Sequence, residues 1–473
     1  MLYRFSTLTF FLFLSLFVFS QTLIQQFVNN PALKHASVGL QVTDLKTGIT
    51  IASYDEQKSL TPASVAKLIT TASALEILGG EYRYNTLVGL DKNQPNKILI
   101  IGSGDPTLGS EAFGDNKYEF FEQSARALKQ QLDSDKEYTI YVVDNLFGYN
   151  GVSPEWTWID MGNYYAAGAY GISIFDNSYK LFFNTTNNIS AKIIRTEPEI
   201  KQLTFINELT LNNTGRDNGY IYGAPFSFNR AVRGDIPSGR SAFSIKGDIP
   251  DPGMLMGEVM AEYLSKSGVK VAEVETARAD YLAGKSIIHT VGNILYSHSS
   301  PALKEIVRET NVVSNNHYAE HLIRTIGVVK NGSSHDDSLE RGIEAIENLW
   351  KQKGVVVTSL KLHDGSGLAP QNAFSPSFLN EIIYYMYNKS EESANFISSL
   401  PKAGRDGTLR SFMKGTRYEG KIIAKSGSIG GVHCYSGYLL DGDKQYAFTV
   451  MVNKFNGTRS QVRSAIEKYL NSL

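Results

Sequence analysis

The chain has 473 residues, 42% hydrophobic and 20% charged, a balance that excludes a disordered tail, a collagen and a polytopic membrane protein. Lysine and arginine number 46 against 47 acidic residues, for a net charge of −1. No basic field is available to hold a nucleic acid, so any ligand must be recognised by a local site. A single cysteine, Cys434, rules out an internal disulfide and any four-cysteine metal centre. At about 150 residues per domain, two or three domains are expected, enough to build an apolar core.

The N-terminus reads as an export signal. Arg4 supplies a positive start, Leu8 to Phe19 is mostly apolar, and Val18 and Ser20 are small residues before Gln21, as a signal peptidase requires. Twelve residues fall short of the ~20 needed to span a bilayer. Residues 1–20 are therefore predicted to be removed, leaving no integral membrane anchor, and no nearby cysteine offers lipidation. The mature protein is expected outside the cytoplasm.

Next, Ser37–Leu45 and Ile49–Tyr54 alternate apolar and polar residues around Lys46-Thr47-Gly48, the pattern of a hairpin. Pro62 opens a helix that runs through Ser64 and Lys67 to a stop at Gly79-Gly80. From Asn85 to about Lys285, short strand-like runs alternate with Asn, Asp, Gly and Pro clusters: Lys97–Ile101, Tyr138–Val143, Lys180–Phe183, Leu203–Leu211 and Gly219–Tyr222. This stretch reads as a β-rich insertion, two lobes being one arrangement. Helical periodicity returns over Pro301–Arg308, Val313–Ile326, Ser338–Gln352 and Ser377–Tyr387. Strand-like runs follow at Ile422–Lys425, Val432–Leu440 and Tyr446–Val452, with a last helix over Arg459–Leu470. The boundaries predicted are a discontinuous α/β domain of residues 21–84 and 286–473, split by an insertion of 85–285.

Three short motifs carry the chemistry. Ser64-Val65-Ala66-Lys67 has the form S-x-x-K, which in a helix sets hydroxyl and amine on one face. A serine becomes a nucleophile when a base takes its proton, and lysine serves only as the free amine. The pattern recurs at Ser267/Lys270, Ser399/Lys402 and Ser411/Lys414, but only Ser64 lies at a Pro-initiated helix start. Ser314-Asn315-Asn316 has the form S-x-N, and Lys425-Ser426-Gly427 the form K-[ST]-G. The three follow one another at spacings of 250 and 111 residues, the order found in serine β-lactamases and penicillin-binding proteins.

On these motifs the chain resembles the D-alanyl-D-alanine carboxypeptidase/endopeptidase family, the low-molecular-mass class C penicillin-binding proteins with a large insertion between the first two motifs. Gly102–Leu108, Asp364–Leu368 and Ala403–Leu409 resemble it too, so the similarity spans roughly residues 35 to 455. Class A β-lactamases bring their first two motifs much closer together. Asn315 stands where Asp is frequent, Ser426 where Thr is usual, and Gly102-Ser103 where Gly-Gly is common.

The resemblance implies an α/β (α+β) transpeptidase-type fold, a central antiparallel sheet flanked by helices. It also implies a periplasmic serine D,D-peptidase that acts on peptidoglycan stem peptides through an acyl-Ser64 intermediate, with β-lactams as inhibitors and no metal or organic cofactor. Lys67 would accept the proton, Ser314 relay one to the leaving amine, and Asn316 hold the substrate amide. Lys425 would meet the terminal carboxylate and polarise the Ser314 end of the network, Ser426 help bind substrate, Gly427 let it lie along the strand, and Ser64 and Ser428 N–H groups form the oxyanion hole. Carboxypeptidase against endopeptidase dominance, the third stem-peptide residue, homodimerisation and the role of the insertion stay open.

Two rivals compete. His317, Glu320 and His321 spell H-x-x-E-H, a zinc-peptidase pattern with both histidines on one helical face. A murein-binding homologue without turnover is the other. Elsewhere Cys434 reads as a small buried hydrophobe, Trp156 and Trp158 as packing residues of the insertion, and Asp364 and Asp406 as turn-formers. His363 and His433 match no required role.

Overall fold

Strands from the two ends of the chain pair with each other. In the computed structural model, which describes residues 22–187, 189–285, 288–331 and 337–473, Ser37–Asp44 runs antiparallel to Lys444–Asn453, with Leu40 opposite Val450 and Val42 opposite Phe448. Thr50–Tyr54 flanks one side, and Val432–Asp441 and then Ile422–Ile429 flank the other, giving a five-stranded antiparallel sheet. The expected signal at residues 1–20 lies outside the described residues.

Alternate residues of a strand face opposite sides, and here both sides are covered. Leu40, Val42, Val450 and Val452 share one core with Val462, Ile466 and Leu470 of the helix Arg459–Leu470. On the opposite face lies the helix Pro376–Asn388. Its Asn380 amide donates to Thr43 Oγ1 at 2.7 Å, and Tyr438 OH donates to its Ile383 carbonyl at 2.7 Å. These bonds matter because an unmatched buried polar group costs about 1–3 kcal/mol.

The helix Lys67–Leu78 is buried without a break from Lys67 to Leu75 and ends at Gly79, whose φ of 81° suits a residue without Cβ. A helix buried on every side belongs to the core. Asn311 of the helix Leu303–Val312 donates to Thr71 Oγ1 at 3.2 Å, and Trp350 Nε1 donates to Ser73 Oγ at 2.8 Å.

The described residues of 1–81, 303–315 and 343–473 form one compact unit that holds these elements; those of 82–302 and 316–342 form a second. The division departs from the 85–285 insertion read from sequence. Val291–Ser299 belongs to the second unit because it pairs with Asn85–Asp91, and so does the helix Asn316–Asn331. That unit is also more helical than its sequence suggested. Helices Glu119–Lys129 and Pro252–Lys266 accompany a mixed five-stranded sheet and two three-stranded sheets. The helix expected over 313–326 begins at Asn316, because Ser314 takes a left-handed φ of 65° just before it, and the preceding helix runs on to Val312. Trp156 is buried as expected, but Trp158 is 64% exposed against the Tyr222 ring. No helix among the described residues is long and apolar enough to cross a membrane.

Inside the second unit, His317 and His321 are buried with ring centroids 4.4 Å apart. His321 Nδ1 lies 2.8 Å from the Gly104 carbonyl and Nε2 2.9 Å from Ser173 Oγ. A carbonyl only accepts, so Nδ1 carries the proton and Nε2 accepts from the serine. Burial lowers both pKa values, that of His317 to about 3, and keeps both rings neutral.

Two outcomes follow from this packing. Trp350→Ala empties a fully buried site and orphans Ser73, so a urea titration should show about 3–5 kcal/mol less stability. For the histidines, the unfolded chain takes up protons near pH 6.5 while the folded one does not. Stability should therefore be complete above that pH and fall as the solution is acidified toward the lowered folded values. His321→Gln should flatten that slope in chemical denaturation across pH 4 to 7.

Candidate active site

The first motif sits where a tight turn becomes a helix. Ala63–Ala66 is a 3₁₀ turn entered from Pro62, and the α-helix begins at Lys67. Three residues per turn eclipse positions i and i+3, so Lys67 Nζ donates to Ser64 Oγ at 3.0 Å. Ala63 holds a left-handed φ of 48°, a conformation that side chains rarely adopt and that structures retain where neighbours enforce it. Lys67 is fully buried and also donates to the Ser366 carbonyl at 2.7 Å.

A second hydroxyl–amine pair lies in the same unit. Lys425, fully buried on the strand Ile422–Ile429, donates to Ser314 Oγ at 2.8 Å and to the Ser426 carbonyl at 2.7 Å. Ser314 reaches it from the left-handed turn after the helix Leu303–Val312. Burial holds the Lys425 amine well below the usual lysine range, and the charge of neighbouring Lys67 lowers it further. The two pairs therefore share one electrostatic environment.

Strand Ile422–Ile429 is the edge of its sheet. On its outer side Ala403 N–H donates to the Ile422 carbonyl and Ala424 N–H to the Pro401 carbonyl. Backbone groups alternate sides along a strand, so the N–H and C=O of Ser426 and Ser428 also point outward. Past Ala424 no further bridge covers that edge among the described residues. At Gly427 a Cβ would stand 2.9 Å from Val65 N and 2.6 Å from the Pro62 carbonyl, so only glycine lets the strand pass this close to the turn that carries Ser64. Ser426 Oγ donates to Thr408 Oγ1 at 2.9 Å.

Seven of the eight residues singled out by sequence thus gather in one unit: Ser64, Lys67, Ser314, Lys425, Ser426, Gly427 and Ser428. Asn316, two residues past Ser314, opens a helix of the second unit, where its amide donates to the Tyr165 carbonyl at 2.7 Å. Two contributors went unassigned. Ser366 acts through its backbone carbonyl, which no side-chain motif reveals, and Thr408 lies in the Ala403–Leu409 stretch, noted in the sequence only as a family likeness. The H-x-x-E-H pattern fares differently: both ring nitrogens of His321 are engaged by Gly104 and Ser173, so its lone pair is already spent. That tells against a zinc site there.

The D-Ala-D-Ala carboxypeptidase 3 (S13) family matches residues 20–473. The D-alanyl-D-alanine carboxypeptidase of Actinomadura sp. (strain R39) is 27% identical over 453 residues, covering 92% of this chain and 81% of its own. Carboxypeptidase DacB of Mycolicibacterium smegmatis is 22% identical, with coverage of 93% and 82%. The crystal structure of penicillin binding protein 4 from Haemophilus influenzae shares the fold, with a TM-score of 0.79 at 18% identity over 96% of this chain and 98% of that one. The Bd0816 predatory endopeptidase of Bdellovibrio bacteriovorus matches at a TM-score of 0.52 and 17% identity, over 92% and 93%. With the family matched from residue 20 to the last, the chain belongs to the D-Ala-D-Ala carboxypeptidase 3 (S13) family and is a serine-type D,D-peptidase.

Proposed function

We infer that Ser64 is the nucleophile with which this D,D-peptidase cleaves the D-Ala-D-Ala bond of peptidoglycan stem peptides. The 3.0 Å contact from Lys67 Nζ to Ser64 Oγ carries the reading. Ser64 Oγ attacks the carbonyl carbon between two D-alanines, and its proton passes to the Lys67 amine. The oxyanion that forms is met by the N–H groups of Ser64 and Ser428; one such donor is worth about 2.7–4 kcal/mol in a serine hydrolase. Collapse breaks the C–N bond, and the proton taken by Lys67 is relayed through Ser314 to the departing amine, which leaves Lys67 a free amine and Ser314 a hydroxyl again. D-alanine leaves and an ester remains on Ser64. Water then cleaves the ester, its proton returns to the serine, and the shortened peptide is released.

Lys425 supplies the charge for the terminal carboxylate, with the Ser426 and Thr408 hydroxyls beside it. The open edge past Ala424 accepts the peptide as an added strand, main-chain bonds giving affinity. A cross-link presents the same amide with a longer leaving group, so endopeptidase action uses the same steps. A relative named as an endopeptidase shares the fold, and another is complexed with a β-lactam. A β-lactam joins a carboxylate to a strained amide, and its leaving group stays tethered after acylation. Export by residues 1–20 places the enzyme in the periplasm with its substrate.

A fluorescent penicillin should label the purified protein on Ser64, as peptide mapping would show, with or without a zinc chelator. Ser64→Ala should abolish the label and lower D-alanine release about 10³-fold or more; normal release would sink the mechanism. Hydrolysis that stops on chelation, without a label, would move the chemistry to His317 and His321. Lys425→Ala should weaken carboxylate-bearing ligands by about 2–5 kcal/mol, the usual cost of truncating one partner of a buried charge pair. Because the Lys425 pKa is depressed, carboxylate binding should take up a proton and weaken as pH rises through that lowered value. Titration calorimetry in buffers of different ionisation heat checks both.

A further inference from the structure

Asp364 has no place in the reaction just described, yet it lies one bonded turn away from the catalytic amine. The segment Asp364–Leu368 is buried throughout. Asp364 Oδ1 accepts from Gly367 N–H at 2.7 Å and from Asn372 Nδ2 at 2.8 Å, while Oδ2 accepts from Ala369 N–H at 2.6 Å. A carboxylate offers about four lone-pair sites, and three of them are spent on closing this one turn. Asn372 continues the tie, accepting from His363 N–H at 2.7 Å and donating to the Ala369 carbonyl at 2.9 Å.

The turn is fastened to the nucleophile's own segment at three points. Thr70 Oγ1 donates to the Gly365 carbonyl at 2.7 Å, one helical turn past Lys67. Gly367, at φ 79°, passes so near the Ala63 carbonyl that a Cβ there would stand 2.0 Å from it. Between these two anchors the Ser366 carbonyl accepts from Lys67 Nζ at 2.7 Å, shorter than the 3.0 Å from Nζ to Ser64 Oγ.

We propose that Asp364 is a positioning residue for acylation: by tying the 364–369 turn it fixes the Ser366 carbonyl as the acceptor that aims Lys67 Nζ at Ser64 Oγ. This rests on the acyl-Ser64 reading above. A lysine stem carries about 2 kcal/mol of rotamer entropy, so a free side chain would spend little time in the reactive geometry. A backbone carbonyl suits the task. It cannot titrate, it accepts from the amine, and it still accepts from the ammonium after Lys67 takes the serine proton. The carboxylate suits its own task because it has no N–H of its own: an asparagine amide facing Gly367 or Ala369 would set donor against donor.

The test is a time course of penicillin acylation over a range of penicillin concentrations, well below the unfolding temperature, which separates encounter affinity from the acylation rate constant. In Asp364→Asn the rate constant should fall about 10- to 100-fold, the cost of a displacement near 1 Å. Encounter affinity should stay within about twofold, and labelling should finally reach one per chain on Ser64. A rate constant equal to wild type beside a lower melting temperature would overturn the proposal and leave the turn a stability element. Weakened encounter with an unchanged rate constant would overturn it as well. Should Asp364→Asn fail to fold, Thr70→Val, which frees the Gly365 anchor, decides by the same split. Wild-type protein that never labels would refute the acyl-serine reading itself, a result separate from either variant outcome.

Discussion

Two lysine amines held out of water in one site are the constraint on which the rest depends. Lys67 and Lys425 are both fully buried, and the charge on the first depresses the pKa of the second. A buried cation is costly unless hydrogen bonds receive it, and each amine is received by one serine hydroxyl and one backbone carbonyl. Burial and the like charge nearby both disfavour the protonated form of the Lys425 amine. The features that make the site expensive to fold are those that make it chemically active.

Holding those groups requires a rigid frame. The helix that carries Lys67 is buried without interruption to Leu75, and the strand that carries Lys425 is hydrogen-bonded along its whole length to a neighbour buried over most of its own. Two left-handed residues, Ala63 and Ser314, present the two serines. Such conformations persist when the surroundings over-determine them, and here the surroundings are Gly367 against Ala63 and Lys425 against Ser314. Strain, burial and hydroxyl placement are one arrangement.

The edge position of Ile422–Ile429 adds the substrate side. Edge strands ordinarily need protection because their free N–H and C=O groups recruit other chains. Residues 401–403 cover the first half of this edge and leave the half that bears Ser426 and Ser428 without a further bridge among the described residues. The histidine pair of the second unit shows the opposite use of burial. Desolvation there lowers both pKa values and the hydrogen bonds of His321 are internal, so a sequence pattern shared with zinc peptidases serves packing.

Much was legible in the sequence because it is local. The i, i+3 spacing of Ser64 and Lys67, the apolar strand-like runs Val432–Leu440 and Tyr446–Val452 and the final helix Arg459–Leu470 follow from helical pitch and local composition. The ordered motif triplet was enough to select the chemistry and the family. Tertiary structure alone decided the rest. It moved the start of the helix expected at 313 to Asn316, after a left-handed Ser314 whose hydroxyl meets Lys425 from 111 residues away. It assigned Val291–Ser299 and Asn316–Asn331 to the second unit, since strand pairing and helix packing join residues with no sequence proximity. It also placed the Ser366 carbonyl on Lys67, 299 residues along the chain. Side-chain spacing reports local geometry, whereas a backbone acceptor supplied by a distant turn leaves no residue type to read.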